Sequence, residues 1–92
     1  MKAEIPIEFR LCKPPGCKVA VAGTFNDWNP MSAPLQDESG NGHFRAIVRV
    51  PPGRHEYRFI VDGKWHIDPN CAVSVRTGYG SVNSILLVPA ET

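Results

Sequence analysis

One dipeptide, Asp62-Gly63, constrains the fold of this 92-residue chain more than any other feature. It separates His55–Val61, where Tyr57, Phe59 and Val61 alternate with Glu56, Arg58 and Ile60, from the short run Lys64-Trp65-His66-Ile67. Asp-Gly between two such runs is the strongest short-range signal for a two-residue β-hairpin, because the favoured turn requires positive φ at both central residues. With those two residues in the loop, Val61 pairs with Lys64 and Ile60 with Trp65. Period-two alternation then puts Arg58, Ile60 and Trp65 on one sheet face and Tyr57, Phe59 and Val61 on the other. The second set is the core face. Trp65 is therefore expected to point outward, with the Arg58 guanidinium diagonally beside it.

The rest of the chain reads in the same way, and no stretch of ten residues carries a 3.6-residue period. Ile5, Ile7, Phe9 and Leu11 alternate with Pro6, Glu8 and Arg10, and Pro6, lacking a backbone donor, assigns this strand to an edge. Lys18–Gly23 is a second strand. His43–Val50 is another, with Phe44, Ala46, Val48 and Val50 on its inner face. Met31–Gln36 is expected as a short strand, Ala72–Val75 as a weaker one, and Ser81–Val88 as the last. Seven to eight short antiparallel strands with turns between them predict an all-β, immunoglobulin-like sandwich formed by residues 1–92 as a single domain.

A domain of this size buries roughly 60–65 % of the surface that its unfolded chain exposes, which makes one core plus a deep catalytic cavity a tight fit. The formal net charge is +1 and the basic residues are scattered. Electrostatic attachment to nucleic acid or to an anionic membrane is not expected. No apolar run is long enough to span a bilayer, and the first residues, Met-Lys-Ala-Glu-Ile-Pro, have no signal-peptide character. Cys12 and Cys17 flank a Lys-Pro-Pro-Gly turn, a spacing open to a disulfide or half a metal site. Free thiols in a cytoplasmic protein are the expectation.

Both tryptophans are candidate binding residues, although the default place for Trp in a sandwich is the core. Trp28 lies in a polar, turn-rich stretch between Asp27 and Asn29, and Trp65 is turned outward by the hairpin. Exposed indoles beside hydrogen-bonding side chains suit a sugar, whose pyranose ring has an apolar C–H face and a hydroxyl rim. Covering about 60 Å² of apolar surface per stacked ring at about 25 cal/mol/Å² contributes on the order of 1.5 kcal/mol. Two rings with partly offset hydrogen bonds correspond to a Kd of roughly 10 μM to 1 mM.

Several segments occur together in a telling order. They are Val21-Ala22-Gly23-Thr24-Phe25-Asn26-Asp27-Trp28-Asn29, Pro51-Pro52-Gly53, Tyr57-Arg58-Phe59-Ile60-Val61-Asp62-Gly63-Lys64-Trp65, Asp68-Pro69-Asn70 and Gly80-Ser81-Val82-Asn83-Ser84. From about Lys18 to Val88 the chain resembles the family 48 carbohydrate-binding modules. It is similar in particular to the glycogen-binding domain of the AMP-activated protein kinase β subunit, since both sugar-stacking tryptophans have counterparts here. The resemblance implies an early-set sandwich and an α-1,4-linked glucan ligand, such as glycogen or starch. It also implies a site made of Trp28, Arg58, Trp65, Tyr79, Ser81 and Asn83, with Tyr79 a departure in type from the family's apolar residue. The alternative is a protein-interaction module, whose exposed aromatics dock a kinase-like or glucan-metabolising enzyme partner, or a structural accessory module of a kinase complex or of a glycogen branching or debranching enzyme.

No catalytic, cofactor or metal site is expected. Glycoside hydrolysis needs two carboxyl groups roughly 5–9.5 Å apart across a cleft. Asp27, Asp62 and Asp68 are the central candidates, and the last two have turn roles. His43, His55 and His66 are spread over three segments with neither a nucleophile nor a ligand spacing beside them.

Overall fold

The computed structural model describes residues 4–71, 73–76 and 82–89. Its strands are β1 (Ile5–Cys12), β2 (Val19–Gly23), β3 (His43–Val50), β4 (Gly53–Val61), β5 (Lys64–His66), β6 (Ser74–Arg76) and β7 (Val82–Val88), with a 3-10 turn at Thr24–Asn26. β1 and β3 form one antiparallel sheet. β2, β4, β7 and β6 lie side by side in the second, and β5 pairs with β4. The two sheets face each other as a β-sandwich.

Alternation dictates which side chains meet between the sheets. Phe9 and Leu11 from β1 and Phe44 and Val50 from β3 pack on Val19, Val21, Tyr57, Phe59, Val61 and Val88 from the larger sheet. Phe9 is the junction. Its ring lies 5.2 Å from Tyr57 and 6.5 Å from Phe59, edge to face in both cases, and stacks at 5.5 Å on Phe25. Edge-to-face contacts match the positive ring edge with the negative face of its neighbour. Among the described residues β1 pairs with β3 alone, so Pro6 does stand on an edge strand.

The hairpin follows the sequence rule. Asp62 and Gly63 have φ of 50° and 83°, and the register pairs Val61 with Lys64 and Ile60 with Trp65. The turn is tied back to β2, since the Lys18 amide donates to Asp62 Oδ1 at 2.8 Å and the Asp62 amide donates to the Lys18 carbonyl at 2.8 Å. That Lys18 amide, followed by contact with Cys17, holds the Asp62 carboxyl below its ordinary pKa.

Two elements differ from expectation. Residues 31–36 make isolated bridges, Ala20 with Pro34 and Gln36 with Arg45, instead of a strand. Pro34 has no amide to donate to a ladder, yet the segment is laced to β2 by Val21 donating to the Ala33 carbonyl and Leu35 to that of Val19. It thereby closes one side of the sandwich, from β2 across to β3, and buries Ala33 and Leu35. The strand expected at Ala72–Val75 lies at Ser74–Arg76. Cys12, Cys17 and Cys71 are free thiols.

Candidate carbohydrate-binding site

Period two and the registers of β2, β4, β5 and β7 assemble the outer face of the larger sheet. Ala22 lies opposite Arg58, Ala20 and Trp65 lie opposite Ile60, and Ile85 lies opposite Glu56. The small side chains of β2 leave the face open on that side. Trp65 is 44 % exposed, and Arg58 stands beside it with its guanidinium carbon 5.1 Å from the indole centroid. Ile60 shares this face yet is only 7 % exposed. An apolar residue therefore occupies the outer face without becoming part of the inter-sheet core.

Trp28 arrives from a different element. β2 ends at Gly23, whose closeness to β4 leaves no space for a side chain, since a Cβ there would lie 2.7 Å from the Phe25 ring and 2.8 Å from Tyr57 Cβ. The chain then makes the 3-10 turn, held by Gly23 N–H donating to Asn26 Oδ1 at 2.9 Å and by the Trp28 amide donating to the Gly23 carbonyl at 2.9 Å. Asp27 and Trp28 follow in the left-handed region, with φ of 55° and 58°. Left-handed conformation costs an L-residue about 1–2 kcal/mol, most of all a bulky one. This local strain accompanies a close indole pair. The rings of Trp28 and Trp65 lie 6.3 Å apart, inclined by 56°, and the Arg58 guanidinium carbon is 5.9 Å from the Trp28 centroid.

Asn83 on β7 is 6 % exposed. Its Nδ2 donates to Glu56 Oε1 at 3.0 Å, and Arg54 donates to the other oxygen of that carboxylate at 3.0 Å. The Asn83 bond is the main reason the Glu56 carboxyl sits below its ordinary pKa, with Arg54 adding to the effect. Asn83 Oδ1 and Arg58 Nε are both buried and have no hydrogen-bond partner among the described residues. One is an acceptor and the other a donor, and such orphaned groups call for a ligand or water. Tyr79 and Ser81 lie outside the described residues.

Beneath the site, Tyr57 Oη donates to Asp68 Oδ2 at 2.6 Å, Asn70 N–H donates to Asp68 Oδ1 at 2.9 Å, and Asp68 N–H donates to Ser84 Oγ at 3.3 Å. This knot ties the Asp68-Pro69-Asn70 turn to β4 and β7. Burial, followed by the bond to Asp68, pushes the Tyr57 phenol far above its ordinary pKa. Asp68 is therefore occupied as a structural acceptor. Among the described residues no group of three or more His, Cys, Asp or Glu side chains is placed to hold a metal ion.

Four of the six residues singled out in the sequence thus lie within the described structure, and all four belong to the second sheet and its adjoining turn. Glu56 is an addition. Its position two residues before Arg58 was a signal available from alternation, but its bond to Asn83 depends on a strand pairing between segments 27 residues apart.

The sequence profile describing the glycogen recognition site of AMP-activated protein kinase matches residues 5–92. The chain belongs to this family. It is 41 % identical over 73 residues to the pig protein named 5′-AMP-activated protein kinase subunit beta-1, and 40 % identical over the same length to the human one. The mouse beta-2 subunit is 36 % identical. In each case the match covers 79 % of this chain, whereas it spans 56 % of the pig sequence, 25 % of the human and 26 % of the mouse. The glycogen-recognition module therefore corresponds to one part of those longer kinase subunits.

Proposed function

We propose that this module binds α-1,4-linked glucan, such as glycogen, starch or maltooligosaccharides, without catalysing its cleavage. The observation that carries the reading is the pairing of Trp28 and Trp65, 6.3 Å apart, with Arg58 against both rings. Two sugar rings stack on the indoles, while the hydroxyl rim faces the Arg58 and Asn83 side chains, whose Nε–H and Oδ1 have no partner among the described residues. A hydroxyl both donates and accepts, so it answers both orphaned atoms. Tyr79 and Ser81 are assigned to the same surface by family resemblance. Membership in a glycogen-recognition family supports the choice of sugar, and the hydrogen bonding of Asp68 to Tyr57 argues against a free carboxylate pair. The match of the profile to residues 5–92 supports a single domain, and cytoplasmic residence is part of the same proposal.

The deciding experiment is a maltoheptaose titration followed by tryptophan fluorescence, with cellohexaose as the control for linkage. A saturable change with maltoheptaose alone is expected. An equal response to both sugars overturns the α-linkage, and no response to either overturns the glucan reading. Retardation in a native gel cast with glycogen, lost on Trp65→Ala, is the companion test.

A second role as a docking module for a kinase partner is favoured by one observation. The outer face of β1–β3, away from the tryptophans, exposes Ile47 between Arg45 and Arg49 and opposite Glu8. Capture of a kinase subunit that soluble maltoheptaose does not release tests it.

A further inference from the structure

At Trp65 the surface continues into a groove of about 700 Å³. Trp65, Ile60 and Ala20 line it from the sheet, Met31 from the segment that follows Trp28, and Lys18 and Gln36 provide polar walls. The volume falls within the roughly 300–1,000 Å³ usual for small-molecule sites. Its far wall is held in place by backbone. Val21 and Leu35 N–H donate across the gap to Ala33 and Val19 carbonyls at 3.0 and 2.8 Å, and Gln36 exchanges both backbone hydrogen bonds with Arg45. Ala20, on the outer face of β2, contributes only a methyl group to its floor. Met31 at its mouth is 84 % exposed.

We propose that this groove is an additional glucan subsite, which takes the continuation of the same chain after it leaves Trp65. The inference rests on the glucan reading of the tryptophan pair. Three features select a sugar as the occupant. Trp65 belongs both to the indole pair and to the groove, so the two surfaces are continuous. The lining combines an apolar floor with the polar residues Lys18, Gln36 and Asp37, matching the C–H faces and hydroxyl rim of a pyranose. The walls are pinned to strands, so little conformational freedom is lost on binding. The groove makes the module prefer longer chains.

The test compares maltotriose with maltoheptaose by isothermal calorimetry on the wild-type chain, on Ala20→Tyr and on Met31→Ala. Tyrosine is favoured on strands and projects into the groove, so Ala20→Tyr obstructs it beside Trp65 while the sheet is retained. In the wild type, maltoheptaose is expected to bind about tenfold more tightly than maltotriose, the effect of one further stacked or covered ring. Ala20→Tyr should remove most of that advantage and leave maltotriose within about twofold of wild type, a change below the effect of one covered ring. Met31→Ala, at an exposed position that cannot disturb the fold, should weaken maltoheptaose alone by about two- to threefold, and it decides the matter if Ala20→Tyr does not fold. Equal wild-type affinity for the two sugars overturns the groove as a subsite. So does an unchanged maltoheptaose affinity in the folded variants, or a loss shared by both sugars. Failure of the wild type to bind either sugar overturns the tryptophan reading itself.

Discussion

The Asn83 amide donates to the Glu56 carboxylate at 3.0 Å, and this one bond fixes which way the amide faces. An ionised carboxylate only accepts, so Nδ2 must face it and Oδ1 must turn away. Oδ1 is buried and, like the Arg58 Nε–H donor, has no partner among the described residues.

Glucan affinity should accordingly depend on Glu56. Its pKa in the folded chain is depressed, chiefly by the Asn83 bond, so the orientation it imposes is present above the ordinary carboxylate value and is lost only as pH falls through the lowered one. Maltoheptaose affinity is expected to show no loss from Glu56 down to about pH 4.3, the ordinary glutamate value, and to fall below it. Glu56→Gln offers Asn83 a donor as well as an acceptor and frees the amide to reverse. An affinity about three- to tenfold weaker at neutral pH, without the acid fall, is expected from titrations across the pH series. An unchanged affinity would assign Glu56 a purely structural part.

The two indoles should contribute comparably to binding but differ in stability. Trp65→Ala and Trp28→Ala are each expected to weaken maltoheptaose by about tenfold, the equivalent of one stacked ring. Trp28 stands at φ 58°, where glycine is relaxed and alanine is not. Trp28→Gly should therefore be about 1 kcal/mol more stable than Trp28→Ala, a Tm about 4–8 °C higher for a chain of this size. Thermal melts of the two variants, compared directly, check the backbone strain independently of sugar binding.

Removing the Tyr57 hydroxyl should loosen the Asp68-Pro69-Asn70 turn. Its bond to Asp68 is 2.6 Å long and partly buried, and Tyr57→Phe takes away one acceptor contact of the carboxylate while keeping the ring in the core. A loss of about 1–3 kcal/mol in denaturant titrations is expected.

Gly23 should tolerate no side chain. It is extended, so the demand is for space and not for positive φ. An added Cβ meets the Glu56 carbonyl, the Phe25 ring and Tyr57 Cβ. Gly23→Ala is expected to destabilise by about 1–3 kcal/mol through overpacking. It should also weaken glucan binding, because Trp28 hangs from the Gly23 carbonyl. Calorimetric melts and a maltoheptaose titration on the same sample measure both.

The sequence by itself determined the hairpin, its register and the outward face of Trp65. Those follow from a two-residue turn of fixed chemistry and from the strict alternation of strands, both local properties. It also determined the family, through motifs held in order along the chain. Alternation overreached at residues 31–36, where Pro34 interrupts the ladder and leaves isolated bridges across the edge of the sandwich. Only the tertiary structure decided how close Trp28 comes to Trp65, because that distance depends on a left-handed turn at Asp27 and Trp28 which no periodicity encodes. The clamp of Glu56 on Asn83 and the groove beside Ala20 were likewise out of reach, since each needs β7 or the 33–36 segment to be docked against strands distant in sequence. Local pattern fixes the direction of a side chain, whereas the partners it meets are set by how separate strands pack.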